Sequence, residues 1–315
     1  MKWITFRMAE QQELGWVCRA GNKAFVIPLR KAAKYMEREK LQYPEVVLTM
    51  LDLLKAGEEV QLGWRNVAGF IQEQPLVVRE IGVPFNQIRL HAPISDPVSI
   101  RNFSAFDDNK NSFPDEWYEI PAFYFSNPRS IYGPGEGISR PKQCKRLDYE
   151  LELACVIGKE GRDLSVKEAE NYIFGYMILN DWSARDFQQK EGKIGLGFGK
   201  GKDFATSLGP FLVTGDELLP FRSDEGRFDL EMKAFINGKE LSRGNFRNIF
   251  YTFAEMIAHA SKDVTLHPGD IISSGPVESG CILELGEDKH PWLIEGDRVT
   301  LSITGLGVLH NYITS

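Results

Sequence analysis

The chain has 315 residues, a hydrophobic fraction of 43%, a charged fraction of 26% and a formal net charge of −7. This composition is that of a globular protein with enough apolar material for a sizeable core. The acidic balance argues against a nucleic-acid binder and against docking on an anionic membrane. No apolar stretch approaches the ~18 residues that span a bilayer, and the first residues lack the apolar core of a signal peptide. We therefore expect a soluble, cytoplasmic protein.

The four cysteines lie far apart in the sequence, and no two of them have the C-x-x-C spacing of zinc ribbons or thioredoxin-like sites. In a chain of this size, scattered cysteines are typical of buried thiols in a reducing compartment. We expect no disulfide among Cys18, Cys144, Cys155 and Cys281.

The beginning of the chain has the pattern of a small α+β unit. Residues 2–6, 15–19 and 23–29 each read as a short strand rich in apolar residues, and a turn cluster separates the last two. After Pro84 the sequence becomes β-rich, with many Gly and Pro turns. We therefore divide the chain into an N-terminal α+β domain over residues 1–85 and a larger domain over residues 86–315.

A helix is predicted within the first domain. Pro44 is well placed as a first-turn proline, and Gly57 ends the pattern. Between these two residues the apolar side chains recur at helical spacing, which assigns them to the core. They are Val47, Met50, Leu51 and Leu54.

A polar stretch over residues 107–116 interrupts the second domain. It contains four carboxylates and little that could pack in a core. Such a stretch is either a plain surface loop or a lid over a nearby site, and the sequence leaves both interpretations open.

The segment over residues 147–157 alternates with the period of two that a strand requires. Apolar side chains face one way, while three acids, Asp148, Glu150 and Glu152, face the other. Same-face neighbours lie about 7 Å apart, and at an effective dielectric of ~20 each such pair repels by about 2 kcal/mol. A divalent cation would reverse that repulsion. A solvated acidic face without a cation remains the alternative.

A third carboxylate follows a second strand. Ser165 and Glu168 form a capping-box pattern that starts a helix, and residues 174–179 then form an apolar run. This run ends in the polar sequence Asn180-Asp181, where enzymes rich in β-structure tend to place their chemistry. Asp181 would complete a set of three oxygen ligands and leave further cation positions for water and substrate.

Five motifs follow in order along the chain: DYELE (148–152), NDWSARDFQ (180–188), GKDF (201–204), PGDII (268–272) and GCILEL (280–285). Together they resemble the fumarylacetoacetate hydrolase superfamily, and the resemblance extends from about residue 90 onward. It implies an α+β, β-rich fold, a mixed β-sandwich roll with a small N-terminal domain. It also implies a homodimer formed through the larger domain.

The resemblance assigns the metal ligands residue by residue. Glu150 and Glu152 match the E-x-E ligands, and Asp181 matches the third acid. The implied cation is Mg²⁺, with Mn²⁺ or Ca²⁺ as alternatives. Lys202 matches a catalytic lysine that stabilises developing oxyanion charge, whereas the neighbouring Lys200 is expected to be solvated.

Four further roles are implied by the resemblance. Arg185 and Gln188 match substrate-binding positions, with a helix-surface side chain as the alternative for each. Tyr124 matches a substrate-binding tyrosine less closely, because its phenylalanine neighbours are candidates for the core. Glu284 matches a catalytic glutamate that orients a water-activating histidine. The apolar residues beside it predict a strand, and the alternative for Glu284 is an exposed position on that strand without a catalytic role.

Two positions depart from the pattern of the family. The hydrolases place a general-base histidine after the strand that here ends near residue 103, but this sequence has no histidine between His91 and His259. Phe106 or Asn109 occupies the position, and an amide cannot accept a proton at neutral pH. Pro276 stands where relatives commonly have threonine, which removes two hydrogen-bond donors. The histidines of this chain are expected to be structural.

Three hypotheses of function follow. The first is a metal-dependent hydrolase of C–C bonds in β-dicarbonyl or 2-oxo acids, in which Glu284, Asp107 or Asp108 handles the proton. The second is a lyase of the oxaloacetate decarboxylase type or a keto–enol isomerase, which needs no activated water. The third is a non-catalytic relative that keeps metal and ligand binding. All three have a small oxo-acid as partner, with no nucleic acid and no membrane.

Overall fold

A computed structural model gives the fold, and it describes residues 1–8, 11–107, 113–195, 197–223 and 227–315. Within these ranges there are nineteen strands and nine α-helices. The strands are β1 (Lys2–Met8), β2 (Gln11–Ala20), β3 (Lys23–Pro28), β4 (Val83–Pro84), β5 (Arg89–Leu90), β6 (Ile100–Phe103), β7 (Phe123–Ser126), β8 (Ile131–Tyr132), β9 (Gly137–Ser139), β10 (Leu147–Asp148), β11 (Leu151–Ile157), β12 (Ile173–Asp181), β13 (Ser183–Ala184), β14 (Thr206–Thr214), β15 (Glu231–Ile236), β16 (Lys239–Asn245), β17 (Ile271–Ser273), β18 (Arg298–Ile303) and β19 (Gly307–Thr314).

The helices are mostly short and lie largely in the first third of the chain. The α-helices are α1 (Leu29–Arg38), α2 (Met50–Lys55), α3 (Glu58–Gln72), α4 (Pro75–Ile81), α5 (Asp115–Glu119), α6 (Val166–Ala169), α7 (Arg185–Gly192), α8 (Phe253–Ala260) and α9 (Ile282–Leu285). Further 3₁₀ helices lie at Phe85–Gln87, Glu170–Tyr172, Gly215–Phe221 and Phe246–Asn248. In the described parts of the chain, no helix is both long and apolar enough to cross a lipid bilayer.

A mixed sheet of twelve strands dominates the fold, in the order β4-β3-β2-β1-β14-β12-β11-β17-β6-β7. β5 pairs with β1, and β8 pairs with β14. Most neighbours are antiparallel, but β17 runs parallel to β6. Because β1 pairs with β14 at Lys2↔Val213 and Trp3↔Leu212, the N-terminal strands continue the sheet that holds β11 and β12. The division at residue 85 stays a prediction.

A second sheet, β16-β15-β18-β19-β9, packs against the first. β15 contacts β11, and β18 contacts β12, so that the two sheets enclose a large apolar core between them. The small pair β10–β13 lies beside this core. The architecture is α+β and β-rich, as the sequence predicts.

Strand β11 separates two cores. Its odd-numbered side chains, Leu151, Leu153, Cys155 and Ile157, join the core between the sheets. Ala154 and Val156 face the other way, into a core formed with the N-terminal helices. The predicted alternation is therefore present, and Glu152 faces the same side as those two small residues, at the end where the strand begins.

Three predictions about local structure have clear outcomes. The N-terminal strands are confirmed, and the predicted capping box of Ser165 and Glu168 opens α6. The predicted helix start at Pro44 is wrong, because α2 begins only at Met50. Thr49 and Asp52 form a reciprocal capping box, with both hydrogen bonds 3.1 Å long, and this fixes the start of the helix six residues after the proline. All four cysteines are buried and free, as expected.

Candidate metal centre and active-site cavity

Three carboxylates converge at one end of the central strands. Glu150 lies between β10 and β11, Glu152 is the second residue of β11, and Asp181 ends β12. β11 and β12 are antiparallel with Leu151 opposite Asn180, which brings Asp181 beside Glu150. One ligand oxygen from each of the three lies within 4.8 Å of the other two. The structure thus brings together the three residues that the sequence selected.

Lys202 enters the same cluster from the loop before β14. Its Nζ lies 2.5 Å from Oε2 of Glu150 and 2.9 Å from Oδ2 of Asp181, and only 3% of its side chain is exposed. Lys200 is 74% exposed and pairs with Asp203 at 2.9 Å, so its predicted solvation is confirmed. Of these two neighbouring lysines, one balances the buried carboxylates and the other faces solvent.

Neutral side chains from three neighbouring strands complete the cluster. Asn102 on β6 donates from Nδ2 to Oε1 of Glu152 at 3.2 Å and to Oδ2 of Asp181 at 2.8 Å. Ser273 on β17 donates to Glu152, and Tyr124 on β7 donates to Asp181. Asn102 and Ser273 are absent from the sequence-based prediction. Ser273 lies on β17, which adjoins β11, and Asn102 lies on β6, which adjoins β17; this long-range pairing leaves no local signal in the sequence.

Burial and mutual repulsion set the protonation of the carboxylates. Burial alone would raise the pKa of Glu150, but the charges of Lys202 and Arg185 outweigh it and lower that pKa to about 2. Burial, reinforced by the charges of Asp181 and Glu150, raises the pKa of Glu152 well above its usual value. Burial also raises the pKa of Asp181, against the opposing effect of Lys202.

The residues present fit a divalent cation. Oδ1 of Asp181 is buried and has no hydrogen-bond partner among the described residues, which is costly unless another group satisfies it. Three clustered carboxylates are the hard oxygen donors that Mg²⁺, Mn²⁺ and Ca²⁺ prefer.

Arg185 and Gln188 lie on the first turns of α7 and are both buried, unlike helix-surface side chains. Arg185 donates from Nε to Oδ2 of Asp148 at 2.8 Å, and its Nη1 lies 2.8 Å from Oε1 of Glu150 and donates to Oε1 of Gln188 at 3.0 Å. Asp148 is therefore a partner of Arg185, and it is not one of the three acids that could hold a metal ion together.

Glu284 lies on the helix α9, and the predicted strand at this position is wrong. The short helix is stabilised at its N-terminus by Asp148, which accepts from the backbone N–H of Ile282 at 2.8 Å and of Leu283 at 3.0 Å. Oε2 of Glu284 accepts from the N–H of Gly280 at 3.1 Å. An apolar-acidic pattern of four residues fits one helical turn as well as a strand, and the carboxylate of Asp148 favours the turn.

A cavity of about 500 Å³ opens onto this cluster. A larger cleft of about 620 Å³ near α1 and α3 includes none of the clustered carboxylates and no basic side chain among its described residues, so we place the chemistry in the smaller cavity. Its lining brings together every residue predicted for substrate binding or catalysis. The described lining residues are Asn102, Phe103, Ser104, Phe113, Tyr124, Arg146, Glu150, Arg185, Gln188, Gln189, Phe198, Lys202, Pro276, Leu283 and Glu284.

Residues 99–314 match the family model of the fumarylacetoacetate hydrolase C-terminal domain, which is more than half of the chain. The chain belongs to the fumarylacetoacetate hydrolase family. Members of this family are enzymes that act on small molecules, and they include fumarylacetoacetases. The chain carries a cluster of three acids, Glu150, Glu152 and Asp181, which could hold a divalent metal.

Individual relatives illustrate the breadth of the family. Fumarylacetoacetase of Oryza sativa subsp. japonica is 30% identical over an alignment of 251 positions that covers 62% of this chain and 58% of that enzyme's length. The solved fumarylacetoacetate hydrolase from the psychrophile Exiguobacterium antarcticum is 25% identical, with a TM-score of 0.77 that covers 100% of this chain and 99% of that one. The 5-carboxymethyl-2-hydroxymuconate delta-isomerase from Mycobacterium smegmatis, 23% identical, shares the fold with a TM-score of 0.68 and coverage of 100% and 99%.

The two departures from the family pattern both concern the cavity. Its described lining contains no histidine, and Pro276 lies in its wall. Of the alternative proton carriers, Asp107 accepts a hydrogen bond from the hydroxyl of Tyr118 at 2.8 Å. Asp108 and Asn109 lie outside the described residues. Glu284 is the predicted proton carrier that lines the cavity in the described structure.

Proposed function

We propose that the protein is a divalent-metal-dependent enzyme that hydrolyses a C–C bond in a small β-dicarbonyl or 2-oxo acid, as fumarylacetoacetases and acylpyruvases do. The observation that carries the proposal is the convergence of Glu150, Glu152 and Asp181 with the buried Lys202, and of these Glu150 and Lys202 line one cavity. At about 500 Å³ the cavity has the size of a typical small-molecule site.

Glu150, Glu152 and Asp181 would hold Mg²⁺, with Mn²⁺ or Ca²⁺ as alternatives. When bound, the cation supplies Lewis acidity to adjacent carbonyl and carboxylate oxygens of the substrate. Lys202 keeps a positive charge at a buried position, where it stabilises negative charge that develops on an enolate oxygen. Fixed charges of this kind act without reorganisation during the reaction.

Substrate binding is assigned to Arg185, Gln188 and Tyr124, which line the cavity next to the carboxylates. The amide of Gln188 is oriented by its hydrogen bond with Arg185. The phenol of Tyr124 already donates to Asp181, so it is directed toward the inner end of the cavity. These polar groups would orient the substrate's acid and carbonyl oxygens relative to Lys202.

Proton transfer is assigned to Glu284. Its carboxylate lines the cavity, and the N–H of Gly280 fixes one of its oxygens. A carboxylate so placed can receive a proton from an attacking water and return it to the carbon that leaves. No histidine lies among the described cavity residues, so this role falls to the acid itself.

The absence of a histidine from the described cavity lining supports a second candidate, a decarboxylase of the oxaloacetate type or a keto–enol isomerase. Both reactions need positive charge to stabilise an enolate, which Lys202 and a cation held by the three carboxylates would supply, but neither needs an activated water. Release of CO₂ distinguishes the lyase from the isomerase, which releases no fragment.

The test is turnover of a panel of acylpyruvates and oxaloacetate by the purified protein with Mg²⁺. Loss of the enol absorbance, with pyruvate and a second acid as products, would support the hydrolase, and CO₂ would support the lyase. Asp181→Ala should abolish any activity, whereas Glu58→Ala, a change at an exposed residue, should leave it unchanged. Tight binding of the same acids without turnover would favour a non-catalytic relative, and full activity of Asp181→Ala would refute the proposed metal site.

We propose further that the protein is a cytoplasmic homodimer. Free, buried cysteines are typical of a reducing compartment. Light scattering coupled to gel filtration would test the assembly, with a mass twice that of the chain as the expected result and the mass of one chain as the contrary result.

A further inference from the structure

The cavity contains a third cationic side chain, Arg146, which neither the proposed reaction nor the metal site uses. Its backbone is fixed, because its carbonyl oxygen accepts from the N–H of Arg185 at 2.9 Å and the following residue, Leu147, pairs with Ala184. Its side chain is 47% exposed, which places it at the mouth of the cavity. The fixed backbone thus holds the solvent-accessible guanidinium of Arg146 where a ligand that enters the cavity can contact it.

The contacts of Arg146 are weak compared with those of the inner cations. It lies 3.6 Å from Oε1 of Glu287, whose side chain is itself 55% exposed, and its guanidinium lies 5.9 Å from the ring of Trp292. Arg185 and Lys202, in contrast, are buried and bound to carboxylates at 2.5 to 2.9 Å. A half-exposed ion pair contributes little free energy, so Arg146 can exchange Glu287 for an entering carboxylate at small cost.

Aromatic side chains line the cavity together with the carboxylate cluster and Arg146. Phe113 and Phe198 are 37% and 43% exposed, and Phe198 meets the edge of Tyr124 at a ring distance of 5.7 Å. Exposed aromatic surfaces in a cavity favour a planar or apolar segment of ligand. A ligand that fits is therefore polar at its inner end, apolar in its middle and anionic at its outer end.

We propose that Arg146 determines specificity by binding a second carboxylate at the far end of the substrate, so that the enzyme prefers dicarboxylic oxo-acids to monocarboxylic ones. The inference rests on the proposed function, since it takes the carboxylate cluster as the end that receives the oxo-acid group. An arginine fork binds a carboxylate through two parallel hydrogen bonds, which suits it to this selection.

Turnover gives the first test. The probes are a 2,4-dioxo acid with a terminal carboxylate and the same molecule with a neutral terminal carboxamide, each with Mg²⁺. Arg146→Gln should raise KM for the carboxylate about 10- to 100-fold, with kcat and the carboxamide's kcat/KM changed less than about twofold. Arg146→Lys should recover part of the loss, and Glu287→Gln should not weaken binding. An equal loss on both probes, or no loss on either, would overturn the inference.

Calorimetry gives a second test that needs no reaction. The probes are 2-oxoadipate and 2-oxosuberate, compared with 2-oxohexanoate and 2-oxooctanoate, which have the same carbon number and no second carboxylate. The wild type should bind at least one diacid about 10-fold or more tightly than its matched monoacid, and Arg146→Gln should remove the difference. Such selectivity without turnover would refute the enzymatic function alone. Turnover without selectivity in either test would refute the role of Arg146 alone, and an absence of both would refute the two together.

Discussion

At the scale of single residues, Lys202 is the group on which the carboxylate cluster depends most. Three carboxylates lie close together in a buried position, and its ammonium contacts two of them. Removing one partner of a buried charge pair is strongly destabilising, because it leaves the other charges uncompensated. The same charge is available to an oxyanion of the substrate, so stability and activity should respond together to its loss.

We predict that Lys202→Met lowers kcat about 10²- to 10³-fold, the usual effect of removing one group that stabilises an oxyanion. The matched control is Lys200→Met, which alters an exposed side chain two residues away and should change kcat less than about twofold. Steady-state kinetics on the substrate found by the panel measures both. Equal kcat values for the two variants would remove Lys202 from the mechanism.

Cation binding should be visible in stability as well as in turnover. A ligand that binds only the folded state at 100 times its Kd stabilises that state by about 2.7 kcal/mol. We therefore expect Mg²⁺ to raise Tm in the wild type and to have no such effect on Asp181→Asn, which keeps the size of the side chain. Differential scanning calorimetry checks this, with Glu58→Gln as the control that should keep the full shift. An unchanged shift in Asp181→Asn would place the cation elsewhere.

Prediction from the sequence found the charged residues of the carboxylate cluster but missed two neutral residues that bond to them, Asn102 and Ser273. Glu150 and Glu152 could be identified because same-face acids on a strand are unfavourable without a partner. Asn102 and Ser273 are ordinary polar residues in the sequence, and only the pairing of β17 with β11 and of β6 with β17 brings them to Glu152. Long-range strand pairing of that kind has no local signal.

At the scale of elements, the two errors have one cause. Helix α2 was predicted to begin too early, and α9 was predicted to be a strand. In both helices the decisive group is a carboxylate that accepts hydrogen bonds from backbone N–H groups at the helix start. For α2 it is Asp52 of the same helix, which accepts from the N–H of Thr49. For α9 it is Asp148, which lies 134 residues before Ile282 in the sequence. The first was readable as the pattern Thr49-x-x-Asp52, a variant of the capping box; the second depends on tertiary structure.

The turn after β17 supports one wall of the cavity. Gly275 has φ +75°, and a Cβ there would overlap the carbonyl oxygen of Phe103. We predict that Gly275→Ala lowers the free energy of unfolding by more than Gly286→Ala does. Gly286 has φ +89° with nothing near its Cβ position, so that variant isolates the conformational cost, about 1–2 kcal/mol. Urea denaturation measures both, and equal losses would show that the Phe103 contact is unimportant.

At the scale of the whole molecule, the N-terminal residues share a core with the larger part of the chain. Trp3, Trp16 and Trp64 belong to the same apolar cluster as Leu179 and Leu208 of the central strands. β14 has β1 as its neighbour in the sheet. The N-terminal unit therefore covers an edge strand and an apolar face that would otherwise meet water.

We predict that a fragment over residues 86–315 aggregates or unfolds, although the match to the family model begins at residue 99. Its exposed edge at β14 would be open to pairing with other chains. Gel filtration and thermal denaturation of the fragment, beside the full chain, provide the measurement. A monodisperse fragment with a cooperative transition would instead establish the predicted division at residue 85.

The two faces of β11 also bear on how the chain finds its correct fold. If this strand paired with β12 one residue out of step, every side chain would exchange faces. Glu150 and Glu152 would then enter the space between the sheets that Tyr149, Leu151 and Leu153 fill in the native structure. Placing unpaired charges in that interior costs several kcal/mol per ion. The acids proposed as metal ligands thus also favour the correct register, since burying their charges would destabilise the misaligned sheet.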